Sequence, residues 1–285
     1  MQSRLRPICT VAMIAVLVLA ACSPQGPSLP SDPVEAVKLI ADKQKDIKSQ
    51  HFDLSLNLTL KAEGLPEDDP TAAFLKDFKA SFTGAGDVDN ATQNFQLKGT
   101  ADLGILTAFL ANGADEVALE VRKIGNTTHT KIADQDWTES TLDANTAESA
   151  GNSLSPEQLA EILKKAAKAE KLGDENVSGV DSHHYKVTLD SEELIAQVAA
   201  LAAAQGSPAD EAQLSQVREL LKDSEILVEL WAGKADLLVR KETVTINLDL
   251  RNIPDAPPDM RLQIGVSLTL TNSKLNEPVT IEAPK

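Results

Sequence analysis

At 285 residues, with 42% hydrophobic but only 3% aromatic residues, the chain can build one large core or two small ones, and that core must be aliphatic. Its net charge of −16 argues against nucleic acid and against broad contact with anionic headgroups. Its two cysteines, Cys9 and Cys22, both lie near the N-terminus, which leaves no thiol in the rest of the chain for a disulfide, a redox pair or a metal site.

Arg4 and Arg6 form a positive start, Val11 to Leu19 is a short apolar run, and Leu19-Ala20-Ala21-Cys22 closes it. This is a lipobox: small residues precede a cysteine whose thiol takes a diacylglycerol. The apolar run, roughly ten residues, is too short to span a bilayer of about 30 Å. Residues 1–21 therefore read as a removed signal peptide, with Cys22 as the lipidation site and first mature residue. Cleavage takes Lys plus Arg from 27 to 25 against 43 Asp plus Glu, so the mature charge becomes −18. No polybasic patch assists membrane binding, so the acyl chains alone hold the protein there. The expected location is extracytoplasmic, lipid-anchored to the cell membrane, or to the outer membrane if the host has one. Residues 22–30, with prolines at 24, 27 and 30, read as a lipidated tether, and residues 31–285 as a single domain.

Asp32-Pro33 starts a helix, with Asp32 as N-cap and Pro33 at the first helical position. Val34, Val37, Ile40, Ala41 and Ile47 mark its buried side. At His51 the period switches to 2: Leu54, Leu56, Leu58 and Leu60 alternate with polar residues, as in a half-buried antiparallel strand. Further strands are predicted at Ser81–Val88, Asn94–Ala101, Glu116–Lys123 and Thr127–Ala133, with Val117, Leu119 and Val121 on one face. Leu103–Leu110 reads as a helix or lid. Ser155-Pro156-Glu157-Gln158 is a capping box; its helix buries Leu159, Ile162, Leu163 and Ala166 and ends at Gly173. His183–Asp190 returns to strand. Two Ala-rich helices follow, one carrying Leu194, Ile195, Val198 and Leu201, the other Leu214, Val217, Leu220 and Leu221. The C-terminal part alternates again, through Ile226, Val228 and Leu230, through Val244, Ile246, Leu248 and Leu250, and through Leu262 to Leu270.

Several strands run to nine or ten residues, longer than the usual five or six. A long antiparallel sheet with one apolar face must close or be covered. The predicted fold is α+β: a strongly curved antiparallel sheet, a half-barrel, with several amphipathic helices on its concave side. An aliphatic lining suits acyl chains, and each enclosed methylene is worth roughly 0.8 kcal/mol. The candidate lining residues are Leu54, Leu56, Leu58, Val117, Leu119, Val121, Leu159, Leu163, Val198, Leu201, Ile226, Val228, Ile246 and Leu248. The same residues also serve as ordinary core; periodicity defines a face, not a hole.

No Gly-x-Ser-x-Gly, His-Glu-x-x-His or phosphate-cradling glycine loop is present. His183 and His184 are neighbours on a strand and point to opposite faces, so they do not share a metal site. Asp87-Val88-Asp89-Asn90 reads as a turn, and Trp137 and Trp231 as core or as the rim of a pocket. A non-enzymatic protein without cofactor or metal is expected.

The order of several phrases resembles the LppX/LprG-type lipoproteins, which share the half-barrel of the lipoprotein carrier LolA. These phrases are the lipobox, Lys48-Ser49-Gln50-His51-Phe52, and Val121-Arg122-Lys123-Ile124-Gly125-Asn126-Thr127 leading to Trp137. They continue with Gly179-Val180-Asp181-Ser182-His183-His184-Tyr185-Lys186-Val187, Val228-Glu229-Leu230-Trp231 leading to Arg240, and Asn276-Glu277-Pro278-Val279-Thr280-Ile281. The resemblance implies a cavity for an acylated lipid or glycolipid, transport of lipid or lipoprotein across the envelope, and an envelope transport protein as partner. It carries no catalytic residues. The alternative is a structural or sensory envelope lipoprotein with a filled core.

Overall fold

The computed structural model describes residues 26–65, 75–104, 116–141, 168–189, 224–251 and 259–284, with single positions among 160–166 and 192–219 and at 257. Cys22, the 105–110 part of the predicted lid and most of the Ala-rich helices fall outside them.

The helix α1 spans Pro33–Gln44. Asp32 caps it as predicted, its Oδ1 accepting from the N–H of Val34 at 2.9 Å and of Glu35 at 3.0 Å. Eleven strands follow: β1 (Ser49–Glu63), β2 (Phe78–Asp89), β3 (Asn94–Asp102), β4 (Val117–Ile124), β5 (Thr127–Ile132), β6 (Thr138–Thr141), β7 (Lys168–Val177), β8 (Val180–Thr188), β9 (Glu225–Gly233), β10 (Val239–Arg251) and β11 (Arg261–Ser273). All lie in one sheet, in the order β6-β5-β4-β3-β2-β1-β11-β10-β9-β8-β7, every pairing being antiparallel. The sheet is open, with β6 and β7 at its edges. It consists of two meanders, β1–β6 and β7–β11, joined by the β1–β11 pair from His51↔Ser273 to Glu63↔Arg261.

Two expectations are corrected. The several helices expected as cover are not borne out: α1 is the one helix with a defined span among the described residues. The helix expected to run to Gly173 has given way by Lys168 to strand β7. Its Lys- and Glu-rich composition mimics a helix, but charged residues also suit an edge strand, where they discourage pairing with other chains. Gly173 (φ +149°) is not a helix stop; it sits where the β7–β8 register shifts, a conformation that needs glycine.

The main core lies between α1 and the β7–β10 part of the sheet. Ala36, Val37, Ile40 and Ala41 pack with Tyr185, Val187, Val228, Leu230 and Val239, and Leu163 joins them. Gln44 locks this contact. Fully buried, it donates from Nε2 to the carbonyl oxygen of Leu237 at 3.0 Å and accepts at Oε1 from the N–H of Val239 at 2.9 Å. A smaller cluster, Phe52, Leu54 and Leu270 with Phe82, Val88, Leu97 and Leu268, lies nearer the middle of the sheet. Here Gly84, Gly86 and Gly99 leave room for aromatic rings: a Cβ on Gly86 would meet the Phe52 ring at 2.6 Å, and one on Gly99 the Phe82 ring at 2.6 Å.

Candidate functional site: one apolar face of the sheet

Cross-strand partners share a face, so the pairing register fixes where each candidate residue points. One row reads Leu56↔Leu268↔Val244↔Val228↔Val187 in one direction and Leu56↔Phe82↔Ala101↔Val117 in the other. The next rows join Leu58, Val266, Ile246 and Ile226, then Leu60, Ile264 and Leu248. Leu119 lies in the row of Gly99, Gly84 and Leu54, and Val121 in that of Leu97, Gly86 and Phe52. All ten strand candidates, Leu54, Leu56, Leu58, Val117, Leu119, Val121, Ile226, Val228, Ile246 and Leu248, therefore share one face of one sheet. Leu163 is fully buried in the core beneath α1. Leu159, Val198 and Leu201, like Cys22, lie outside the described residues.

Burial varies across this face. Val187, Val228, Leu230 and Val239 are at most 1% exposed. Leu56, Leu58 and Leu60 on β1, Leu262, Ile264, Val266 and Leu268 on β11, and Val244, Ile246, Leu248 and Leu250 on β10 are only half-buried. These eleven side chains form a strip three strands wide. From Leu56 to Ala62 it runs about 20 Å at about 3.4 Å per residue, and its width is about 10 Å.

Two buried residues of the apolar face each leave a polar atom unpaired, and both were missed in the sequence. Glu242 pairs with Leu230 on one side and Leu270 on the other, and Asn272 pairs with Phe52. They are 8% and 7% exposed, and Glu242 Oε2 and Asn272 Oδ1 have no hydrogen-bond partner. Burial among aliphatic side chains pushes the Glu242 carboxyl up to about 7. A signal was present: counting back by twos from Leu250 through Val244 lands on Glu242.

The opposite face is polar. His184 stacks on Trp231 at 4.1 Å between centroids. Its Nδ1 lies 2.9 Å from Glu175 Oε1 and its Nε2 lies 2.8 Å from Glu229 Oε2. The Trp231 indole N–H donates to Glu175 Oε2 at 2.9 Å, and Lys241 Nζ stands 4.3 Å above the ring. Trp231 is thus packed rather than at a rim. The indole N–H first, and His184 with it, hold the Glu175 carboxyl below its ordinary range. His183 turns the other way, as expected, to Asp174 at 2.9 Å. The turn expected at Asp87–Asn90 falls later: Asp87, Val88 and Asp89 end β2, and Asp89 accepts from the N–H of Ala91 and of Thr92 in the turn at 90–93. Among the described residues no group of three His, Cys, Asp or Glu is placed to hold a metal, and no helix is long and apolar enough to cross a membrane.

Two hollows lie mainly among polar-face residues. One of about 470 Å³ is lined by Thr59, Lys61, Asn247, Asp249, Gln263 and Gly265 with Leu60, Asp77, Leu248 and Ile264. The other, about 200 Å³, is lined by His51, Ala85, Asp87, Gln96, Lys98 and Glu120 with Gly86 and Leu97. Their carboxylates and amides suit water and ions better than an acyl chain.

No known family pattern and no curated protein matches the sequence. Solved structures do match. Lipoprotein LppX of Mycobacterium tuberculosis aligns over 87% of this chain and 98% of its own, at 13% identity and a TM-score of 0.41. LprF of Mycobacterium bovis aligns over 89% and 99%, at 18% identity and a TM-score of 0.43. The chain is similar to lipoproteins of the LppX and LprF type. A putative outer membrane lipoprotein-sorting protein domain from Vibrio parahaemolyticus covers 87% of this chain and 95% of its own, at 11% identity and a TM-score of 0.20.

Proposed function

We propose that this protein is a membrane-anchored lipoprotein that holds the acyl chains of a lipid against the half-buried strip of β1, β10 and β11 and takes part in lipid or lipoprotein transport in the cell envelope. One observation carries the reading: eleven aliphatic side chains from three adjacent strands share one face and stay half-buried. Contiguous apolar surface of this kind marks a binding surface, and an acyl chain needs dry area with few directional bonds. The lipobox at Cys22 supports the reading by placing the strip beside a bilayer, the source of such a ligand. The protein acts as a carrier or holder, not as an enzyme.

The alternative of a filled core and a structural or sensory role draws on the sealed region beneath α1, where Val37, Ile40 and Leu230 are fully buried. Native mass spectrometry of the full chain, extracted in mild detergent from its own membrane, separates the two. A lipid-holding protein shows an added acyl-lipid mass that leaves on collisional activation, while the covalent anchor stays. A single species carrying the anchor alone overturns the proposal.

A further inference from the structure

Glu242 and Asn272 are out of place on an aliphatic face. Buried polar atoms are nearly always paired, and each exception calls for an explanation. Leaving such an atom unpaired costs about 1–3 kcal/mol. Two orphans occur together here: Glu242 faces Leu270, and Asn272 stands two residues further along the same strand, on the same face. Such diagonal positions lie about 7 Å apart, within reach of long side chains. The row of Leu56, Leu268 and Val244, where the half-buried strip begins, is next to that of Glu242.

We infer that Glu242 and Asn272 form a polar anchor for the hydroxyl group of a neutral acylated lipid, such as a diacylglycerol, whose chains lie along the strip. The inference rests on the acyl-lipid reading above and names its ligand class. Asn272 already donates from Nδ2 to the carbonyl oxygen of Val239 at 3.3 Å, which leaves its Oδ1 to accept. Glu242, held protonated up to about pH 7 by its apolar setting, offers an O–H below that pH. A ligand hydroxyl can donate to Asn272 and accept from Glu242 at once. A phosphate monoester dianion cannot donate to Asn272, and its charge is costly on an apolar face. An alkylammonium cannot accept from Glu242.

The test uses the purified full chain stripped of bound lipid and phosphatidylcholine vesicles carrying one labelled probe each. The probes are dipalmitoylglycerol, its O-methyl ether, dipalmitoyl phosphatidate and hexadecylamine. Wild type is expected to take up dipalmitoylglycerol roughly tenfold better than each of the others, the worth of one well-made hydrogen bond. Glu242→Leu and Asn272→Leu are expected to bring dipalmitoylglycerol and its methyl ether within twofold, while Glu242→Gln keeps most of the preference. Circular dichroism confirms that each variant is folded, and Glu242→Gln serves as the polar isostere. Equal uptake of the methyl ether by wild type, a preference for phosphatidate or amine, or an undiminished preference in both leucine variants overturns the anchor and leaves the acyl-lipid reading standing. Uptake of none of the four probes overturns both.

Discussion

The apolar face of the sheet is built mainly from aliphatic residues yet behaves as two regions. Beneath α1, Val187, Val228 and Leu230 are sealed. One to three strands from Val228 in the same row, Val244, Leu268 and Leu56 are half-buried. Alternation along a strand decides which way a side chain faces; whether anything lies on top of it is decided by another element. Burial also means different things in the two regions. In the sealed region it is a stability term, and in the strip, on the proposed function, it is surface left over for a ligand.

The contrast can be broken most forcefully in the sealed region. Leu230→Ala is expected to cost about 2–5 kcal/mol, as for buried leucines generally, read as a lower midpoint in urea unfolding. Gln44→Ala is expected to follow at about 2–3 kcal/mol, because it strands the buried Leu237 carbonyl and Val239 N–H; an equal midpoint for wild type and variant would show that α1 does not depend on this lock. At the border, Glu242 makes stability depend on pH. The unfolded group titrates near 4.5 and the buried one at about 7, so between these values only the folded state keeps the proton. Stability is therefore expected to fall, by no more than about 3 kcal/mol, as pH rises from about 4.5 to about 7, and then to level off. Glu242→Gln flattens that fall in chemical denaturation at a series of pH values. In the strip, Ile246→Ala is expected to cost about 1 kcal/mol of stability, because less surface is lost from a half-buried site, while lowering acyl-lipid uptake several-fold. If uptake is unchanged and stability drops as steeply as for Leu230, the strip is core and the two regions are one. Asp174→Asn, at the β7 edge, has the smallest effect. Bonds from His183 first, and then Lys234, hold the Asp174 carboxyl below its ordinary 3.8, so its contribution is present above about 3.8 and is lost as pH falls through the depressed value. The variant is expected to soften acid unfolding alone.

Facing was legible in the chain; covering was not. Leu54 to Leu60 and Ile226 to Leu230 announce their face by period alone, and Asp32-Pro33 announces α1. Lys168–Val177 misled because lysines, glutamates and alanines favour a helix locally, whereas the strand is imposed by pairing with β8. Glu242 escaped because a polar residue at an apolar position reads as the end of a pattern rather than as part of it. Asn272 closes the β11 alternation in the same way. The Gly84, Gly86 and Gly99 trio was silent too: its role depends on Phe52 and Phe82, and Phe52 arrives from a neighbouring strand.

The β1–β11 seam also sets a timetable. Apart from this seam, each strand pairs with its neighbour in sequence, so both meanders can assemble as the chain emerges. β1, made early, must wait for β11, made last. Until residue 273 is free, the outer edge of β1 carries an unpaired run of backbone donors and acceptors, with Leu54 to Leu60 beside it. Unpaired edges of this kind recruit other chains. A chain cut before Arg261 would keep two half-sheets and lose the strand that joins them, so the last of the eleven strands is the one that commits the molecule to its fold.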